Sequence, residues 1–201
     1  VRYADDCNIY VRSAAAGQRV MKSISDFITR KLKLKVNQDK SAVDRPSRRK
    51  FLGFTFSEKK ATVLISRKAL QRFKERLRQL TRRGVPALRL IGNLNCYLRG
   101  WVGYFGQAAD YWMLRDLDSW IRRRLRSLSW RAWRTPRKRY RELTRRGVPV
   151  GDACFAVRYW HSPWHASSKP ALQIALPNRL WHDQLGLLSL LSAWHRMHAQ
   201  S

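Results

Sequence analysis

From Ser66 to Trp133, apolar side chains recur every three or four residues while arginines crowd many of the positions between them. A stripe with that period can be buried only by packing helix against helix. With Ser66 as N-cap, Leu70, Phe73, Leu77 and Leu80 form one apolar face. A second helix is expected from about Ala87 to Phe105 (Leu88, Ile91, Leu94, Leu98, Trp101, Phe105). A third is expected from about Tyr111 to Trp133 (Leu114, Leu117, Ile121, Leu125, Leu128). Short links between the three predict a small antiparallel bundle. The string "LTRRGVP" occurs at 80–86 and again at 143–149, each time after a basic helix-like stretch. Gly supplies the left-handed C-terminal position and Pro blocks continuation, so the string reads as one helix stop used twice.

The first third has a different character. Residues 2–12 alternate around "ADD", which predicts two short strands joined at Asp5 and Asp6, and a helix should follow from Ala14 to Leu32. "LKVNQDKSAV" reads as strand, turn, strand. "KFLGFTF" and "ATVLIS" read as a hairpin around Ser57 to Lys60. The fold class is therefore α+β: antiparallel hairpins and a helix, then an α-helical bundle. Residues 151–201 mix turn signals with short apolar pieces and give no clear period.

Charge limits the partners. The chain carries 42 Lys and Arg against 13 Asp and Glu, a net +29, and thirty of those cations are Arg. Residues 67–150 alone hold 23 cations and five acids. Such a surface repels itself unless a polyanion lies against it, and the guanidinium fork suits phosphate, so nucleic acid is the expected partner. No apolar run approaches the roughly 18 residues of a membrane span, and no signal peptide is recognisable. No membrane partner is expected, and the expected location is the bacterial cytoplasm, associated with the nucleoid or RNA, with an organelle as the alternative. Cys7, Cys96 and Cys154 are too far apart for a zinc ribbon and read as free thiols. His161 with His165, and His195 with His198, have ligand-like spacing without accompanying Cys, and read as surface or packing residues. Trp101, Trp112, Trp120, Trp130 and Trp133 fit core or core-edge positions, with base stacking the alternative for some of them.

Adjacent aspartates at a hairpin turn can serve simply as turn formers, or can converge on divalent cations, because a turn relaxes the rule that neighbouring side chains point to opposite faces. "YADD" between apolar strands resembles the active-site hairpin of reverse transcriptases. Further segments follow in the order of that family. "VNQDKSAV" is similar to its next motif, and "KFLGFTF" to the hairpin that grips the primer end. "LRGWVGYF" in a basic helical region closely resembles the maturase (X) domain of group II intron-encoded reverse transcriptases, with Asn95, Arg99, Gly100, Trp101, Tyr104 and Phe105 on the family pattern. "HDQLGLLSLL" is similar to the C-terminal region of bacterial members.

The resemblance implies the end of a reverse-transcriptase palm over 1–65, a maturase (X, thumb) bundle over 66–150, and a C-terminal extension over 151–201 that is a candidate DNA-binding segment. It implies that Asp5, Asp6 and Lys40 are catalytic in the intact enzyme: Asp5 and Asp6 hold Mg²⁺, and Lys40, near the incoming dNTP, is the acid that protonates the leaving pyrophosphate. Tyr3, Ala4, Phe51, Leu52 and Gly53 would lie close to primer and nucleotide. It further implies group II intron RNA and an RNA template/DNA primer duplex as partners, contacted by Arg72, Arg76, Arg82, Arg83, Arg99, Arg122, Arg123, Arg126, Arg137, Lys138 and Arg139. The family's third catalytic aspartate comes from an earlier strand. Asp26, Asp39 and Asp44 do not replace it, so the chain is expected to be a fragment that binds RNA but does not polymerise DNA alone. The alternative is a non-enzymatic RNA-binding splicing factor with a relic "YADD". A retron-type reverse transcriptase is disfavoured by "LRGWVGYF".

Overall fold

In the computed structural model, which describes residues 1–4, 6–58, 62–82 and 87–199, the N-terminal strands are two residues each. Strands β1 (Arg2–Tyr3) and β2 (Asp6–Cys7) pair antiparallel, with Arg2 opposite Cys7 and Tyr3 opposite Asp6. Helix α1 (Ala14–Arg30) starts at Ser13, whose hydroxyl accepts the Ala16 N–H at 3.2 Å. A 3-10 turn (Pro46–Arg48) precedes β3 (Phe54–Phe56), which pairs antiparallel with β4 (Val63–Ile65), Thr55 opposite Leu64. The Thr55 hydroxyl donates to the carbonyls of Ser47 and Arg49, tying this hairpin to the turn. These elements belong to the first of two compact units, Val1–Ala69 and Leu70–Ser201, and the chain as a whole is α+β.

Two expectations are corrected. Asn8 and Val1 exchange backbone bonds at 2.8 and 2.7 Å beyond the Arg2–Cys7 pair, but residues 9–12 do not extend the first hairpin. "LKVNQDKSAV" forms no strand: it is irregular, with a turn over 38–40 in which Asn37 Oδ1 accepts the Lys40 N–H at 3.2 Å. A strand needs a ladder partner and a face to bury. Leu34 is 60% exposed, and neither need is met. The tip of the second hairpin, residues 59–61, lies outside the described residues.

Within α1 only Gly17 is buried. A Cβ there would sit 2.5 Å from Val43 Cγ1, so this is where the helix and the 40s loop meet. We expect Gly17→Ala to destabilise the first unit by about 1–3 kcal/mol, because the overpacked loop must move. Urea unfolding followed by α1 helicity would measure it, and an unchanged midpoint would refute the tight contact.

Helix α2 (Arg67–Leu80) begins with Ser66 Oγ accepting the Ala69 N–H. It is followed by α3 (Ala87–Phe105), α4 (Tyr111–Ala132) and α5 (Pro136–Arg145). The expected boundaries of the second and third helices agree with α3 and α4 to within a residue. Phe73 of α2 lies 4.6 Å from Trp101 of α3, ring centre to ring centre, and Leu77, Leu94, Leu98, Leu114 and Leu125 are all but fully buried. Each such side chain stabilises the unit by roughly 1.5–3 kcal/mol.

Helix α5 ends as its "LTRRGVP" string predicts. Gly147 takes φ +83°, its N–H reaches the Thr144 carbonyl, and the Val148 N–H reaches the Leu143 carbonyl. In the first copy of the string, Gly84 and Pro86 lie outside the described residues.

The bundle is larger than three helices. Residues 150–199 add α6 (Val150–Tyr159), α7 (Pro163–Ala166), α8 (Pro170–Ala175), a π-helical turn (Leu180–Gln184) and α9 (Leu190–Ala199). Helices α7 and α9 pack on α4, α9 also on α3, and α6 and α8 on α5.

Candidate nucleic-acid interface

The N-terminal hairpin places Tyr3 and Asp6 opposite each other, with Ala4 at φ +52° in the turn. Tyr3, Ala4 and Asp6 are exposed, and Asp5 lies outside the described residues. Among the described residues no three of His, Cys, Asp or Glu gather as a metal set. A two-metal centre needs several converging carboxylates, of which Asp6 is the one the hairpin presents among the described residues. Lys40 is exposed on its turn, and its carbonyl accepts a bond from Arg49 at 2.8 Å. Phe51 bridges to Phe54 around a tight turn in which Leu52 and Gly53 take φ +52° and +89°.

In the second unit the arginines divide into two groups. Arg72, Arg76, Arg82, Arg99, Arg137 and Lys138 are exposed, as are Arg131, Arg134, Arg141 and Arg145. Arg83 lies outside the described residues. Among the described residues ion pairs join only Arg115 to Asp116 and Arg146 to Glu142. The exposed cations are therefore largely unneutralised, which is the condition for binding a polyanion.

The other arginines point inward. Arg126 is 8% exposed; its Nε donates to the Leu176 carbonyl at 3.0 Å and its Nη2 to Asn178 Oδ1 at 2.9 Å. Half-buried Arg123 donates to the Trp164 carbonyl while its guanidinium lies 4.1 Å from the Trp164 ring centre. Arg139 donates to the Trp133 carbonyl and covers the Trp130 ring at 4.6 Å. Arg124 donates to the Thr81 hydroxyl at 2.8 Å, joining α4 to the end of α2. Arg122 faces His182 at 3.4 Å.

Burial lowers the pKa of Arg122, Arg124, Arg126 and Arg139 from the ordinary arginine value, although each stays charged at neutral pH. These guanidiniums replace water with carbonyls and indole faces. Of the expected RNA-contacting set, Arg126 is thus an internal tie, and Arg123 and Arg139 are largely committed to tryptophan and carbonyl partners.

Aromatic residues divide in the same way. Trp101, Trp130 and Trp133 are buried, whereas Trp112 is 63% exposed with Arg115 over its ring at 4.4 Å. Trp120 is half-buried, beneath Lys74 and Arg78.

Asp118 was not foreseen. It is 4% exposed, yet its carboxylate accepts from the Ser189 hydroxyl (2.7 Å) and from the N–H groups of Leu190 (2.9 Å) and Leu191 (3.2 Å). One carboxylate on α4 therefore caps the start of α9, where the helix dipole favours negative charge. Asn95 adds a second clasp, its amide donating to the Gly186 carbonyl and accepting the Leu188 N–H. A third is the Trp194 indole N–H, which donates to the Gly106 carbonyl at 2.9 Å. Asp118 was legible in principle, because it lies four residues after Leu114 and three before Ile121, on the apolar stripe itself.

Residues 70–147, from α2 to the glycine that ends α5, match the family model for the group II intron, maturase-specific domain. None of the curated proteins compared with the chain matches it.

Proposed function

We propose, from the premise that residues 70–147 are a group II intron maturase-specific domain, that the helical unit binds group II intron RNA and assists its splicing. The observation that carries this reading is the exposed, unneutralised arginine surface of that domain. A maturase must hold a folded RNA by its backbone, and phosphate contact by Arg and Lys supplies that without reading sequence. Exposed Trp112 with Arg115 offers a face for an unpaired base.

The test is the salt dependence of affinity for a group II intron RNA. Log affinity should fall linearly with log salt, and replacing Arg137 and Lys138 by Ala should reduce the slope by about one for each lost phosphate contact. An affinity flat between low and physiological salt would refute the reading.

A finer reading is that the N-terminal hairpin belongs to an RNA-directed DNA polymerase, with Asp5 and Asp6 as Mg²⁺ ligands. It is supported by the antiparallel Tyr3–Asp6 pairing, with Ala4 in the turn after Tyr3. Joined to a complete palm and fingers, the chain would support Mg²⁺-dependent primer extension on an RNA template. An Asp6→Ala form extending as well as the parent would count against it.

A further inference from the structure

Beside α4 lies a groove of about 480 Å³, within the roughly 300–1,000 Å³ range of ligand sites, lined by Arg122, Asn178, His182, Ser189, Ser192 and Arg196 together with residues 186–188. Two guanidiniums and an imidazole line it, Arg122, Arg196 and His182, and they come from three elements: α4, α9 and the π-helical turn. Among the described residues neither Arg122 nor Arg196 has a carboxylate within ion-pair distance.

The nearest acid acting on Arg122 is Asp118, whose carboxylate is already engaged by Ser189, Leu190 and Leu191. His182 Nδ1 lies 2.9 Å from the Leu187 carbonyl and must donate to it, which leaves Nε2 as the acceptor facing Arg122 at 3.4 Å. The imidazole is thus held between the Leu187 carbonyl and the half-buried Arg122 guanidinium, which forms no ion pair among the described residues. Arg196 and Ser192 are exposed at the mouth of the groove. Asn178, whose side-chain oxygen accepts from Arg126, is part of the same lining.

We propose that this groove is a phosphate site, holding one backbone phosphate of RNA bound to the basic helical unit. Two guanidiniums, a hydroxyl and an amide are the donor set that suits a phosphodiester oxygen pair. The proposal rests on the RNA-binding reading and deepens it, because His182, Ser192 and Arg196 all lie beyond the residues matched by the maturase-specific domain. It makes residues 178–196 part of the RNA surface rather than a support for it.

The test uses the full chain. RNA affinity is measured at several salt concentrations, and the His182 ring resonances are followed by NMR as RNA, or inorganic phosphate alone, is added. Arg196→Gln should lower RNA affinity about tenfold, the size expected for one charge-assisted phosphate contact. It should also reduce the salt slope by about one and stop RNA from moving the His182 signals. Ser192→Asp, which places a carboxylate in the mouth at an exposed position, should do the same with an unchanged melting temperature.

If the parent chain binds RNA and both variants bind it equally well, the phosphate site is overturned while the RNA-binding reading stands. If inorganic phosphate moves His182 but RNA does not, the groove is an anion site without an RNA role, and the proposal fails. If the parent chain binds no RNA at all, the broader reading fails with it.

Discussion

Asp118→Ala should destabilise the helical unit by roughly 3–5 kcal/mol, the cost of removing one partner from a buried charged network. The Ser189 hydroxyl and the first two N–H groups of α9 would lose their acceptor in a site that is 4% exposed. Arg122 would lose its nearest negative charge. The damage should be local first. Hydrogen exchange in Leu190–Ala199 should accelerate before that of α3, because Asn95 and Trp194 still hold parts of the segment. Asp118→Asn should fall between the two, since its amide offers one acceptor oxygen where the carboxylate offered two. Denaturant unfolding with exchange mass spectrometry would separate these outcomes. Equal protection of α9 in Asp118→Ala and the parent would refute the cap.

Arg126→Ala should cost about 2–4 kcal/mol, through a cavity under α8 and the loss of bonds to the Leu176 carbonyl and Asn178. The informative comparison is Arg126→Met. Arg126 has no carboxylate partner among the described residues, and its pKa is lowered first by burial and then by Arg122. Methionine keeps the volume of the stem and removes the buried charge, so its cost should stay below about 1.5 kcal/mol. A methionine variant as unstable as the alanine one would mean that the guanidinium bonds, rather than packing, hold α8 in place. Neither variant should alter the salt slope of RNA binding, because the group does not reach solvent.

The long helices were readable because their burial is local and periodic: Leu114, Leu117, Ile121 and Leu125 lie on one stripe whatever they pack against. The C-terminal helices were not. Helices α7 and α8 are four and six residues long, too short to show a period, and each opens with a proline that also reads as a turn. What holds them is tertiary: Arg123 on Trp164, and Arg126 on Leu176 and Asn178.

For the same reason the arginine run misled in part. Arg122, Arg123, Arg124 and Arg126 are half-buried or buried while Arg131, Arg134 and Arg137 further along the same run are exposed, because a helix spreads neighbours around its circumference. Sequence density gives no sign of which is which, because a guanidinium satisfied by carbonyls and indole faces has the same composition as one waiting for phosphate. In the first unit the second hairpin was readable from its paired β-rich segments, while "LKVNQDKSAV" had the alternation of a strand without a partner for it.

The clasp between α4 and α9 bears on where this domain can be cut. Expression of residues 70–147 alone would respect the family boundary and still sever Asp118, Asn95 and Arg126 from the groups that satisfy them. The stretch that the family model matches is thus shorter than the stretch that folds together. Transplanting this helical unit into another protein requires carrying the chain through Ala199, the end of α9.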